Sequence, residues 1–177
     1  MSKTNELVRL VKPRALPAGT MEVEASEAER AALAKRFGIS AILALEAKVD
    51  FSEKDDGVIA SGTFSATIEQ PCAVTRDDFS YDISEDFSLR FVPAGKLGEY
   101  EEDAEFELTE EELDEIEYEG ETFDLGEAIA QELGLAIDPY REGPDADAMR
   151  EKAGIESDED RAPSGPLADA LAALKKD

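Results

Sequence analysis

Two long runs of strict alternation, joined by a short polar turn, most narrow what this chain can fold into. In the first, Val58, Ala60, Phe64, Ala66 and Ile68 share one parity while Ser61, Thr63, Ser65, Thr67 and Glu69 take the other. In the second, Phe79, Tyr81, Ile83, Phe87, Leu89 and Phe91 alternate with Ser80, Asp82, Ser84, Asp86, Ser88 and Arg90. A period of two gives half-buried strands with one apolar face. Between them lies Gln70-Pro71-Cys72-Ala73-Val74-Thr75-Arg76-Asp77, where Pro71, lacking a backbone donor, suits a strand end. A third run, Ala41, Leu43, Leu45, Ala47, Val49 and Phe51, precedes the turn Asp55-Asp56-Gly57. Residues 39–92 are thus expected to form a three-stranded antiparallel meander. The pattern suits an open sheet or one curled towards a barrel.

The flanking segments supply helices, which makes the expected class α+β. Leu7–Val11 and Met21–Ala25 read as short strands. Ser26-Glu27-Ala28-Glu29 is a capping box, and Gly38 a left-handed stop, so a helix is expected between them with Ala28, Ala31, Ala32 and Leu33 on its buried face. Asp124 caps a second helix that buries Leu125, Ala128, Ile129, Leu133 and Ile137 and ends at Asp138-Pro139. Gly134 weakens that helix by about 1 kcal/mol relative to alanine. Residues 1–140 therefore read as one domain. Residues 141–165 read as a polar linker with one weak turn at Ala146–Ala153, and residues 166–177 as a flexible tail holding a short amphipathic helix.

Charge and missing residue types restrict the chemistry. With 44 acidic and 18 basic residues the net charge is −26, and residues 99–140 contain no lysine or arginine. Solubility or adaptation to salt accounts for such a balance by itself; read functionally, it favours a basic partner over naked nucleic acid, because broad binding to phosphates normally needs a basic face. The local exception is a basic patch from Arg9, Lys12 and Arg14 with Arg30, Lys35 and Arg36. The chain has no histidine, which removes the commonest general base and the usual Ser and Cys triads. The one cysteine, Cys72, cannot form an intrachain disulfide, and the acidic runs lack the spacing of a calcium loop. Neither a signal peptide nor a membrane span is legible. These features lead us to expect a cytoplasmic, non-enzymatic binding protein without metal or cofactor.

The order of parts resembles the YceD family, also called the large ribosomal RNA subunit accumulation protein family. The matching features are the Cys72-containing bend between two strands, the acidic segment and the helix entry Phe123-Asp124-Leu125-Gly126-Glu127. They continue through Leu133 to Asp138-Pro139-Tyr140, and through a tail closing in Leu171-Ala172-Ala173-Leu174-Lys175. Many members are similar in carrying a C-x-R-C pattern at the bend. Here Cys72-Ala73-Val74-Thr75 keeps only the first cysteine, so no cysteine pair or zinc site is expected. The resemblance implies a factor for accumulation of large-subunit ribosomal RNA in ribosome biogenesis. Its partner would be a basic large-subunit ribosomal protein or an assembly intermediate containing precursor RNA, with the acidic tract at 99–121 competing for the partner's RNA-binding surface. Pro71, Cys72, Thr75 and Arg76 are the candidate contact residues at the bend. Direct RNA binding through the basic patch is the alternative.

Overall fold

Alternation becomes three long strands in register. The structure, a computed structural model, describes residues 5–55, 57–95 and 115–155. In chain order it comprises β1 (Leu10–Val11), β2 (Met21–Glu24), α1 (Glu27–Phe37), β3 (Ala41–Lys54), β4 (Gly57–Pro71), β5 (Asp78–Pro93), β6 (Glu115–Tyr118), β7 (Phe123–Asp124), α2 (Leu125–Ala136) and α3 (Ala146–Ala153). The main sheet has the order β2-β3-β4-β5-β6, and β1 pairs with β7 separately. Neighbours in the main sheet are antiparallel except β5 and β6, which run parallel. The sheet is open and does not close into a barrel. The fold is α+β.

The core lies on one face of this sheet. Val58, Ala60, Phe64, Ala66 and Ile68 on β4 are buried, as are Ile83, Phe87, Leu89 and Phe91 on β5. Gly62 continues the inward parity of β4. A Cβ there would lie 1.9 Å from the Lys48 carbonyl oxygen, so β3 and β4 approach closely at a point only glycine permits. On β3 the expected parity fails at its start. The register shifts between Ile42 and Ala44, turning Ile42 inward and leaving Leu43 50% exposed. A bulge of one residue exchanges the two faces, and alternation alone does not announce it.

The helices cover the buried face. Helix α1 has both predicted ends: the Ser26–Glu29 capping box is formed, and Gly38 stands at φ +70°. Its buried residues are Leu33 and Ala34, while Ala28 and Ala31 are exposed, which corrects the expected face by about a quarter turn. In an alanine-rich helix the small side chains mark no stripe, and one leucine sets the rotation. Helix α2 buries Leu125, Ala128, Ile129 and Leu133 as expected, with Ile137 partly buried just beyond its end. Gly134 has a packing reason: a Cβ there would stand 3.0 Å from the ring of Phe37. Phe123 inserts beside Phe91, ring centroids 4.1 Å apart, and fastens the small sheet to the large one. Residues 146–153, read from composition as a weak turn in a linker, form α3. Most of the acidic tract and the tail helix expected at 166–176 lie outside the described residues.

Candidate functional site

Two elements with different sequence signals meet at the bend between β4 and β5. Cys72 N–H donates to the Asp77 carbonyl at 2.9 Å and Arg76 N–H to the Cys72 carbonyl at 3.1 Å, closing a tight turn. Arg76 occupies the left-handed region at φ +68°, which costs a non-glycine residue energy of order 1 kcal/mol. The Thr75 hydroxyl accepts from the Asp77 N–H at 3.2 Å and shapes the turn. Pro71 and Arg76 are exposed and Thr75 is half-buried, whereas Cys72 is only 1% exposed.

The cysteine sulfur is an acceptor for three backbone donors: Val74 and Thr75 at 3.4 Å and Gly143 at 3.2 Å. The Thr75 N–H most strongly, and then that of Gly143, stabilise the thiolate against burial, pulling the thiol down to about 7. Gly143 belongs to a segment that follows α2 and is fastened to the bend at further points. Ala73 N–H donates to the Arg141 carbonyl at 3.1 Å. The Gln70 side chain donates to the Asp138 carbonyl at 2.8 Å and accepts from the Tyr81 hydroxyl at 3.0 Å. The Arg141 guanidinium sits 4.0 Å above the Tyr81 ring. A Cβ on Gly143 would press on Phe79 at 3.1 Å, so glycine lets the segment lie flat on β5. Burial pushes the Tyr81 hydroxyl up from its ordinary range.

Of the four bend candidates, Pro71, Thr75 and Arg76 line the turn, and Cys72 is the acceptor beneath it. Its inaccessible sulfur ties the 138–143 segment to the sheet. Sequence reasoning missed Gln70, Tyr81, Arg141 and Gly143. Gln70 was detectable, as a polar side chain on the inward parity of β4 after Ala66 and Ile68. Arg141 and Gly143 gave no signal, because they come from a stretch that reads as linker. Among the described residues no group of three or more Cys, Asp or Glu side chains is arranged to hold a metal ion.

The helix entry Phe123-Asp124-Leu125-Gly126-Glu127 is a second junction. One Asp124 carboxylate oxygen accepts from the N–H groups of Arg9 at 2.9 Å, Gly126 at 3.0 Å and Glu127 at 3.3 Å, and the other from the Asn5 side chain at 2.8 Å. Gly126 lets the helix start press on the N-terminal segment, where a Cβ would meet the Leu7 carbonyl oxygen at 2.5 Å. Glu127 reaches Arg36 of α1 at 2.8 Å.

The six residues of the candidate basic patch are engaged in different ways. Arg9 pairs with Glu29 at 2.7 Å, and its hydrogen bond holds that carboxyl down at about 2. Arg30 donates to the backbone carbonyls of Ala25 at 2.6 Å and Ile42 at 3.2 Å. Arg36 bridges Glu127 and Glu6, and the Glu127 hydrogen bond raises the pKa of the guanidinium further. Lys12 and Arg14 line an open cleft with Glu53, Asp55 and Glu121, and Lys35 lines a separate groove between α1 and β3.

Fold and junctions together define a class: an acidic α+β domain whose open sheet is fastened, at a cysteine-centred bend, to the segment leaving its last core helix. The family model of the large ribosomal RNA subunit accumulation protein YceD matches residues 60–176, about two thirds of the chain. This chain belongs to the YceD family, a family named for accumulation of large-subunit ribosomal RNA. The match spans the bend, the helix entry and the tail, while β1, β2 and β3 lie before it. No curated protein and no solved structure matches the chain. No helix among the described residues is long and apolar enough to cross a membrane.

Proposed function

We propose that this protein is a non-enzymatic cytoplasmic factor supporting accumulation of large-subunit ribosomal RNA by binding a basic ribosomal protein or a protein-bearing assembly intermediate. The supporting observation is the use made of the arginines. Arg9, Arg30 and Arg36, half of the basic patch, are directed to carboxylates and carbonyls of their own chain. A chain of net charge −26 that engages these three arginines internally repels RNA phosphates and attracts cationic proteins at long range. The acidic tract at 99–121 adds to that field, competing for the partner's RNA-binding surface. The buried Cys72 and the lack of histidine favour a role without catalysis.

Sedimentation of a gentle cell lysate tests this reading. Co-migration with large-subunit precursor particles, lost as salt is raised, is the expected result. Co-migration that persists at high salt overturns the electrostatic mechanism, and a chain that remains alone at every salt concentration overturns the association. The second reading, direct RNA contact, rests on Lys12 and Arg14, which form no ion pair among the described residues and share one cleft. Lys12→Glu with Arg14→Glu would abolish particle association under that reading and leave it nearly unchanged under ours.

A further inference from the structure

The buried face of the sheet is accounted for by α1, α2 and β7, but the opposite face has no covering element among the described residues. On it the central strand β4 presents Ser61, Thr63, Ser65 and Thr67. To one side β5 sets Asp82 opposite Thr67 and Asp86 opposite Thr63, with Ser80, Ser84 and Ser88 at the other levels. To the other side β3 sets Glu46 opposite Ser65 and Asp50 opposite Ser61. Beyond it β2 adds Glu22 and Glu24. The face is a hydroxyl-lined strip between two acidic rails. Among the described residues it bears no aromatic side chain for stacking bases, which distinguishes it from an RNA-reading sheet.

Three of the carboxylates are held in place. Thr67 donates to Asp82 at 2.6 Å and Thr63 to Asp86 at 2.5 Å, each across one register pair, and Thr20 donates to Asp50 at 2.7 Å. Lys48 stands between Glu46 and Asp50 on β3, opposite Thr63, and lies 3.9 Å from Glu22, so it offsets one of the four carboxylates of Glu22, Glu24, Glu46 and Asp50 and leaves that side acidic. Asp82 and Asp86 stand about 13 Å apart along β5, since strands rise about 3.3 Å per residue. At that rise and a strand spacing of about 4.8 Å, the strip on β3, β4 and β5 measures roughly 30 by 15 Å. That is about half of what one partner contributes to a standard globular interface, of order 800 Å². It matches an extended peptide.

We propose that this outer face is the docking surface for an extended, lysine- or arginine-rich arm of a protein partner. The arm runs along β4 with its cations on the two rails and its backbone over the hydroxyls. The proposal rests on the functional reading above for the existence of a basic partner and adds where it binds and in what form.

The test uses the full chain and a fluorescent peptide of about nine residues alternating lysine with serine, which in extended form matches the length of the strip. Asp82→Asn with Asp86→Asn is expected to weaken peptide binding roughly five- to tenfold near 0.1 M salt. Glu46→Gln with Asp50→Asn tests the second rail, so the proposal stays testable if one variant fails to fold. Asp145→Asn with Glu151→Gln, exposed at α3, removes the same charge elsewhere and is expected to change binding less than about twofold. Equal losses in rail and α3 variants would mean that the peptide senses net charge alone, and no wild-type binding would mean that the face holds no basic arm. Either result overturns the proposal. Sedimentation of the same variants separates the two ideas. If the wild type and both rail variants co-migrate alike with precursor particles, the face is wrong and the functional reading stands. If the peptide prefers the face but the wild type never co-migrates, the functional reading fails and the surface stands.

Discussion

Asp124 shows how much one side chain can organise. Its carboxylate satisfies two donors at the start of α2, complements the positive end of that helix, and ties down the N–H of Arg9 and the side chain of Asn5. Asp124→Ala would strip the cap and leave the Arg9 N–H without its acceptor. We expect a loss of about 2 to 3 kcal/mol, combining a helix cap with a part-buried hydrogen bond. For a chain of this size that lowers the melting temperature by roughly 4 to 12 °C. Asp124→Asn keeps an acceptor oxygen and should lose less. Gly126→Ala tests the neighbouring constraint, because its Cβ would overlap the Leu7 carbonyl. The helix start must then retreat from the N-terminal segment, and thermal denaturation should show a loss of about 1 to 3 kcal/mol although alanine is the better helix former. A gain in stability would show that the N-terminal segment is not pressed against α2.

At the scale of elements, the bend and the 138–143 segment form one unit through the Cys72 sulfur. The thiol is pulled down to about 7 from an ordinary value near 9 by N–H donors that favour the thiolate. A group whose folded pKa is depressed adds stability above its unfolded pKa and loses it as pH falls through the folded one. The advantage of the wild type over Cys72→Ser should therefore widen as pH rises from about 7 to 9, measured by urea denaturation and by thiolate absorbance. A gap constant over that range would refute the hydrogen-bonded thiolate. Burial also predicts slow modification: a disulfide reagent should react with native Cys72 on the order of a hundredfold or more slower than with the urea-unfolded chain. What was legible in the sequence divides along the same lines. The three long strands, the capping box, Gly38 and the Asp124 entry were readable because each is written in local periodicity or in residues that satisfy helix ends. The bulge at Leu43, the rotation of α1 and the parallel addition of β6 were not, since each is decided by partners distant in sequence. At the candidate site Pro71, Cys72, Thr75 and Arg76 were visible as a turn. The segment that completes it was hidden, because Arg141 and Gly143 lie in a stretch whose composition reads as linker and whose order comes from the bend itself.

For the whole molecule, the dominant fact is a net charge of −26 on 177 residues. The described ion pairs, such as Arg9–Glu29 and Arg36–Glu127, use arginines locally, while Glu24 and Glu46 stand opposite one another across β2 and β3. The rails of the outer sheet face are one such arrangement. Folding brings these charges closer than in the extended chain, so self-repulsion opposes the native state. Screening should relieve it. At physiological ionic strength the Debye length is about 8 Å, and at 1 M salt about 3 Å, both shorter than the roughly 13 Å between Asp82 and Asp86 along β5. The local pairs weaken under the same change, but each exposed pair contributes at most about 1 kcal/mol. With 44 acidic against 18 basic residues, repulsive terms outnumber attractive ones and the balance favours salt. We expect the melting temperature to rise by several degrees between about 0.05 and 0.5 M sodium chloride, corresponding to roughly 1 to 2 kcal/mol. Lys12→Glu with Arg14→Glu should steepen the rise, and Asp82→Asn with Asp86→Asn should flatten it. A melting temperature that falls with salt would mean that local pairs outweigh the global field. It would also remove the electrostatic basis for attracting a basic partner, since the same carboxylates supply both effects.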